Sequence, residues 1–181
     1  VLAAPERATA FITLGGSAFG MTDTAQVRPK AVEGPDETGA EHVRLQQLHD
    51  GVLVTGGELI VHLKGNAVLA ANGGVLPVPA TMGVTPTIDP QVAATEAQRL
   101  ATEELGAPDA ALSTPRLEIF DPGFLRGVPS GAYLTWYIEV SSLVVNEAIW
   151  IDAHRGDVVM RVARRADAQF RLIFNAGGTN T

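Results

Sequence analysis

From residue 41 the chain alternates in period two: Val43, Leu45 and Gln47 fall on one side of an extended segment, His42, Arg44 and Gln46 on the other. The alternation stops at His49-Asp50-Gly51, a turn sequence. Residues 58–64 read as a second strand that turns at Gly65-Asn66 and returns through Ala67-Val68-Leu69 to Asn72-Gly73-Gly74, so an antiparallel meander is predicted. Ahead of it, Pro5 and Glu6 open a stretch in which Ala8, Phe11, Ile12 and Phe19 recur near helical spacing. Gly15 and Gly16 weaken that helix by about 1 kcal/mol each relative to Ala, and Gly20 stops it. Residues 23–40 are polar, rich in Gly and Pro, and hold at most one short strand around residues 25–32.

The second half repeats the scheme. Residues 76–90 contain Pro77, Pro79, Pro86 and Pro90 with Gly83 between them, which reads as a linker. Asp89-Pro90 then supplies an N-cap and a first-turn proline for a helix with Ala93, Ala97, Leu100, Ala101 and Leu105 on one face, ended by Gly106 and Pro108. Strands follow at 116–120, 133–142, 148–153 and 158–162, the last two joined by the turn His154-Arg155-Gly156-Asp157. The fold class is therefore α+β, two small modules, each a helix packed on an antiparallel β-sheet. The expected division is a first module over 1–76, a Pro-rich linker over 77–88, a second module over 89–164 and a connector over 165–181 that leads toward a further domain.

Composition narrows the function classes. With 181 residues, 46% of them hydrophobic, the chain has enough apolar material to build a core. The absence of cysteine removes disulfides, thiolate metal sites and a cysteine nucleophile together. A formal net charge of -7 argues against a nucleic-acid partner, and no apolar run approaches the roughly 20 residues of a membrane span, so no membrane association is expected. Val1-Leu2-Ala3 carries small residues where the cleavage site of a secretory leader has them, and reads equally as an arbitrary start.

Candidate chemistry is sparse. His42, His49, His62 and His154 show no helical i, i+4 pairing and no His-Glu-x-x-His, so no metal site is expected; His42 and His62 lie on neighbouring predicted strands, where a meeting across the ladder is the alternative to the favoured reading as two surface histidines. No Gly-x-Ser-x-Gly, P-loop or dinucleotide fingerprint occurs, and Gly56-Gly57 and Gly73-Gly74 read as bulges and turns. Asp50 and Glu58 flank residues 51–57, which read as a solvated loop. Arg155-Gly156-Asp157 reads as turn chemistry and not as an adhesion signal. Of the aromatics Tyr133, Trp136, Tyr137 and Trp150, Tyr133 and Tyr137 share a strand face opposite Trp136, which leaves a choice between core packing and a face covered by a partner. Arg155, Arg161, Arg164, Arg165 and Arg171 make residues 155–171 locally basic, either to meet an acidic surface or as a solvated tail. An enzyme is not expected, and neither is a cofactor.

Two stretches carry a family likeness. Glu41-His42-Val43-Arg44-Leu45-Gln46-Gln47-Leu48-His49-Asp50-Gly51-Val52 and Val54-Thr55-Gly56-Gly57-Glu58-Leu59-Ile60-Val61-His62-Leu63 resemble the FTP module, the first prosequence domain of fungalysin and thermolysin-like metalloproteases. Leu45 and Thr55 stand where that pattern usually has an aromatic residue. Residues 89–162 resemble the PepSY module that follows FTP, through Leu117-Glu118-Ile119-Phe120-Asp121-Pro122-Gly123, Leu134-Thr135-Trp136-Tyr137-Ile138-Glu139-Val140 and Trp150-Ile151-Asp152-Ala153-His154-Arg155-Gly156-Asp157-Val158. Arg171-Leu172-Ile173-Phe174-Asn175-Ala176 is similar to the segment that adjoins the protease domain. The resemblance implies a secreted or extracytoplasmic prosequence, intramolecular chaperone and inhibitor of a zinc metalloprotease, removed on maturation. Its partner is the cognate catalytic domain, in cis or in trans, encoded downstream. The motif residues are Gly56, Gly57, Glu58, Trp136, Asp152, His154 and Gly156, and the candidate contacting or processing segment is Arg164, Arg165, Gln169, Phe170, Arg171, Leu172 and Ile173. The rival expectation is a free-standing extracellular FTP/PepSY binding module attached to a non-protease domain.

Overall fold

The structure, a computed structural model, describes residues 2–128 and 130–164. Helix α1 (Ala4–Gly15) takes Pro5 in its first turn and buries Ala4, Ala8 and Ile12, one residue per turn. That stripe packs on Val27, Val43, Leu45, Leu59, Val61 and Leu63, the inward positions of strands β1 (Val27–Glu33), β2 (Glu41–His49) and β3 (Val52–Lys64). β4 (Ala67–Gly74) completes the meander against β3. Helix α2 (Pro90–Glu103) starts where Asp89 accepts a hydrogen bond from the Gln91 amide, 2.8 Å. It buries Ala93, Ala97, Leu100 and Ala101 on Ile119, Leu134, Trp136, Ile138, Val140, Ile149 and Ile151. These come from β6 (Arg116–Phe120), β7 (Tyr133–Ser141) and β8 (Asn146–Asp152); β9 (Val158–Ala163) flanks β8 and the two-residue β5 (Ala111–Leu112) flanks β7.

The fold is α+β, and its sheet is antiparallel except at one place. β3 pairs in parallel with β6 through Leu53 with Glu118 and Val54 with Ile119. This joins the strands into one sheet of order β1-β2-β3-β6-β7-β8-β9, with β4 and β6 sharing the far edge of β3 end to end. Pairing parity puts both helices on the same face: Val27, Gln47, Val54, Trp136 and Ile138 point toward them, while Arg28, Gln46, Leu53, Thr55 and Tyr137 point to the other face.

One expectation needs correction. The second strand begins at Val52 and not at residue 58, so residues 52–57 are strand and not a solvated loop. The proline-rich stretch lies on the body of the molecule: Leu76, Val78, Met82 and Val84 pack on the α2 core, and the amides of Thr87 and Ile88 both donate to the Ala153 carbonyl, at 2.9 and 2.8 Å. Among the described residues no helix is long and apolar enough to cross a membrane.

Candidate functional site

The Gly56-Gly57 dipeptide sits where β3 passes from one half of the sheet to the other. Opposite it the β2–β3 register jumps, from Gln46 against Glu58 to Leu48 against Leu53, and the extra β3 residues arch outward. The arch leaves carbonyls without ladder partners, and the buried Gln46 side chain supplies them. Its Nε2 donates to the carbonyls of Val54 and Gly57, both at 2.8 Å. Gly56 has φ +82°, a conformation that favours glycine. A Cβ on Gly57 would lie 2.7 Å from Gln47 Cβ, so the arch closes over Gln47 only if residue 57 has no side chain.

The arch shapes one wall of a groove of about 520 Å³ on the helix-free face. Leu53, Tyr137, Ala148, Trp150 and Val162 line it, Leu125 flanks it, and Arg28, Lys30, Arg116 and Arg164 bring four cations to it. Trp150 is the centre of an aromatic group, stacked on Phe120 with ring centroids 4.3 Å apart and tilted against Tyr137 at 5.1 Å. The Trp150 indole N–H is buried and has no hydrogen-bond partner among the described residues. Beside the groove, Phe124 and Leu125 are about half exposed, on a 3-10 turn (Pro122–Arg126).

Buried carboxylates organise the surroundings. Glu118, 2% exposed, accepts from Thr55 Oγ1 at 2.7 Å and from Arg116 Nε at 2.6 Å, which ties the two halves across the parallel pairing. Arg116 also lies 4.8 Å above the Tyr137 ring. Burial, with the hydrogen bond to Glu139 second, pushes the Tyr137 phenol up to about 12. The same bond, with Arg164 on its other side, holds the Glu139 carboxyl below its usual range. Burial alone would raise Asp121, but hydrogen bonds from the Ser130 hydroxyl and amide and from the Gly123 and Gly131 amides outweigh it and lower its pKa. Asp121 thereby fixes the turn that carries Phe124 and Leu125.

The motif residues fall into two places. Gly56 lines the groove, Gly57 closes the arch and Glu58 accepts from Lys30 at 2.7 Å and Arg44 at 2.9 Å. Trp136, Asp152, His154 and Gly156 lie away from it and clasp the 77–88 stretch. Trp136 Nε1 donates to the Ile88 carbonyl at 2.8 Å, His154 Nδ1 meets Thr87 Oγ1 at 2.9 Å, and Asp152 accepts the His154 and Arg155 amides in the turn that Gly156 completes at φ +82°. Arg164 reaches both the groove and Glu139; Arg165, Gln169, Phe170, Arg171, Leu172 and Ile173 lie outside the described residues.

Trp136, Tyr137 and Trp150 are all at most 8% exposed; Trp136 packs in the α2 core, while Tyr137 and Trp150 pack with Phe120 to form the floor of the groove. The described part of the basic run is paired internally: Arg155 with Asp152 and Asp157, Arg161 with Glu104 and Glu147, Arg164 with Glu139. Arg28, Lys30, Leu53 and Arg116 were not legible as site residues, because the parallel pairing that gathers them has no local sequence signal. His42 and His62, read first as surface histidines, take the other course the strand pairing offered and meet directly across the β2–β3 ladder with their Nδ1 atoms 2.6 Å apart.

Among solved structures, the chain is similar to the Bacillus megaterium YpeB C-terminal domain, at 12% identity and a TM-score of 0.42, over 87% of this chain and 62% of that one. No curated protein matches it. Residues 32–75, which hold β2, β3, β4 and the Gly56-Gly57 arch, match the family model of the Fungalysin/Thermolysin Propeptide Motif, FTP.

Proposed function

We propose that the chain is a prosequence of a thermolysin-like zinc metalloprotease, a non-catalytic region that assists folding of the catalytic domain, blocks its cleft and is removed on maturation. The observation that carries this reading is the FTP match over residues 32–75. In this reading residues 89–164 are a PepSY-like module, 77–88 the connection between modules, and 165–181 the connector toward the protease, with the processing site near Phe170, Leu172 and Ile173. Such a prosequence works outside the cytoplasm.

The helix-free groove suits the contact with the catalytic domain. An apolar floor beside Arg28, which has no ion-pair partner among the described residues, fits a partner strand or loop bearing a carboxylate. Covalent attachment raises the effective concentration, so a modest interface is enough to hold the cleft closed until cleavage.

The test is to refold the downstream catalytic domain alone and with residues 1–181 supplied in trans. A higher yield of active protease, followed by inhibition that disappears on cleavage of the prosequence, is expected. Unchanged yield together with unchanged peptidase activity overturns the proposal and leaves a binding module of another kind.

A further inference from the structure

The chain leaves the described part of the sheet at the rim of the helix-free groove. Val162 in β9 and Arg164 just beyond it both line that groove, whose floor is Leu53, Tyr137, Ala148 and Trp150. Residues 165–181 follow and lie outside the described residues. A stretch of this chain therefore sets out from the groove itself, and three extended residues already cover about 10 Å. Of the four cations that reach the groove, three are paired: Lys30 with Glu58, Arg116 with Glu118 and Arg164 with Glu139. Arg28 has no ion-pair partner among the described residues. The sequence after Asp157 holds one acidic side chain, Asp167, three positions beyond Arg164. Past it, Phe170, Leu172 and Phe174 fall on one side of an extended segment. A groove of about 520 Å³ takes a few side chains of such a segment.

We propose that residues 165–174 of this chain fold back into the helix-free groove, with Asp167 on Arg28 and with Phe170 and Leu172 on the floor of Leu53 and Trp150. The segment carries the one carboxylate that matches the one uncommitted cation, which sets its register, and its apolar side chains supply the burial. It starts at the rim, so its effective concentration over the groove is that of a short tether, in the millimolar range. A contact too weak to hold a free peptide is then enough to hold the segment. The groove thus has an occupant of its own, which any other ligand must displace. The apparent affinity of that ligand for the full chain falls by the fraction of chains whose groove is open. The inference concerns the chain by itself and stands whether or not the chain serves a protease.

The chain has no cysteine, so Gln169→Cys in the full chain carries a single nitroxide label beside Phe170. Methyl NMR signals of Leu53, Ala148 and Leu125 are expected to lose about half their intensity or more, as they do when most chains hold the segment in the groove. Those of Ile12 and Val43, in the α1 core, should keep theirs. The loss should persist when the labelled chain is diluted into an excess of unlabelled chain. Arg28→Glu should restore the groove signals, and Arg28→Glu combined with Asp167→Arg should broaden them again. Groove signals that the label leaves intact, or a loss that Arg28→Glu does not change, overturn the proposal. So does a loss that disappears on dilution, because the segment then sits on a second copy of the chain. Should Arg28→Glu not fold, Asp167→Lys, which alters no described residue, makes the same test.

Discussion

The side-chain amide of Gln47 pairs with the backbone of Leu76 as a neighbouring strand would: Nε2 donates to the Leu76 carbonyl at 2.8 Å and Oε1 accepts the Leu76 amide at 2.9 Å. One residue of β2 thus fastens the start of the proline-rich stretch, and Gly57 is the position that makes room for it. Gln47→Ala removes both bonds and strands two backbone groups, an expected loss of about 1–3 kcal/mol by urea unfolding. Gly57→Ala collides with the Gln47 side chain and is expected to cost a similar amount. In the double variant the collision eases, so the two costs should sum to more than the measured total. Gly56→Ala is expected to show no such coupling, because its obstacles are the positive φ and the Phe124 ring.

The two tryptophans are both nearly buried but differ in their N–H. Trp136 donates to Ile88 and Trp150 has no partner among the described residues. Phenylalanine at either site loses similar volume, so Trp136→Phe should be the more destabilising by about 1 kcal/mol. It should also speed amide exchange at Thr87 and Ile88, which Trp150→Phe leaves unchanged.

Stability should fall at both ends of the pH range for reasons that can be assigned. Tyr137 is raised from 10.0 to about 12, so its contribution is complete below pH 10 and is lost as pH rises through about 12. Absorbance at 295 nm should show Tyr137 ionising only there, and Tyr137→Phe should remove that step. Asp121 is lowered from 3.8, so its contribution is present above that value and disappears as pH falls through its folded pKa. Asp121→Asn should flatten the acid limb of a denaturation curve while lowering stability at pH 7.

The groove makes a prediction about binding that is separable from folding. Arg28 has no ion-pair partner among the described residues and Leu125 is 51% exposed, so Arg28→Glu with Leu125→Glu should leave the melting temperature within a degree or two. Under the proposed function, inhibition of the catalytic domain in trans should weaken at least about tenfold, chiefly through faster dissociation. Equal inhibition by this variant would remove the groove from the interface.

What the sequence made legible is local. The α2 face was readable residue by residue, since Asp89, Pro90 and the spacing of Ala93, Ala97, Leu100 and Ala101 all act within one helix. The inward side of β2 was readable from period two. The first turns of β3 were not, because Gly56-Gly57 has the composition of a loop and its strand character rests on Gln46, whose amide reaches across the ladder to Val54 and Gly57. The His42–His62 contact required the β2–β3 register, which the length of the arch sets. The groove was least visible, since its residues come from seven strands whose two halves are joined by two parallel pairs.

That parallel pairing also orders events in time. The ladders on either side of it are hairpins of near neighbours, whereas Thr55 and Glu118, which bind across it, are 63 positions apart. Closing so long a loop carries its entropy cost before any contact rewards it. Sequence separation predicts that the two meanders form early and independently and that the docking of β3 on β6, which creates the groove, comes last. A chain still on its way to the native state then lacks the groove, so any ligand that reads it would report completed folding.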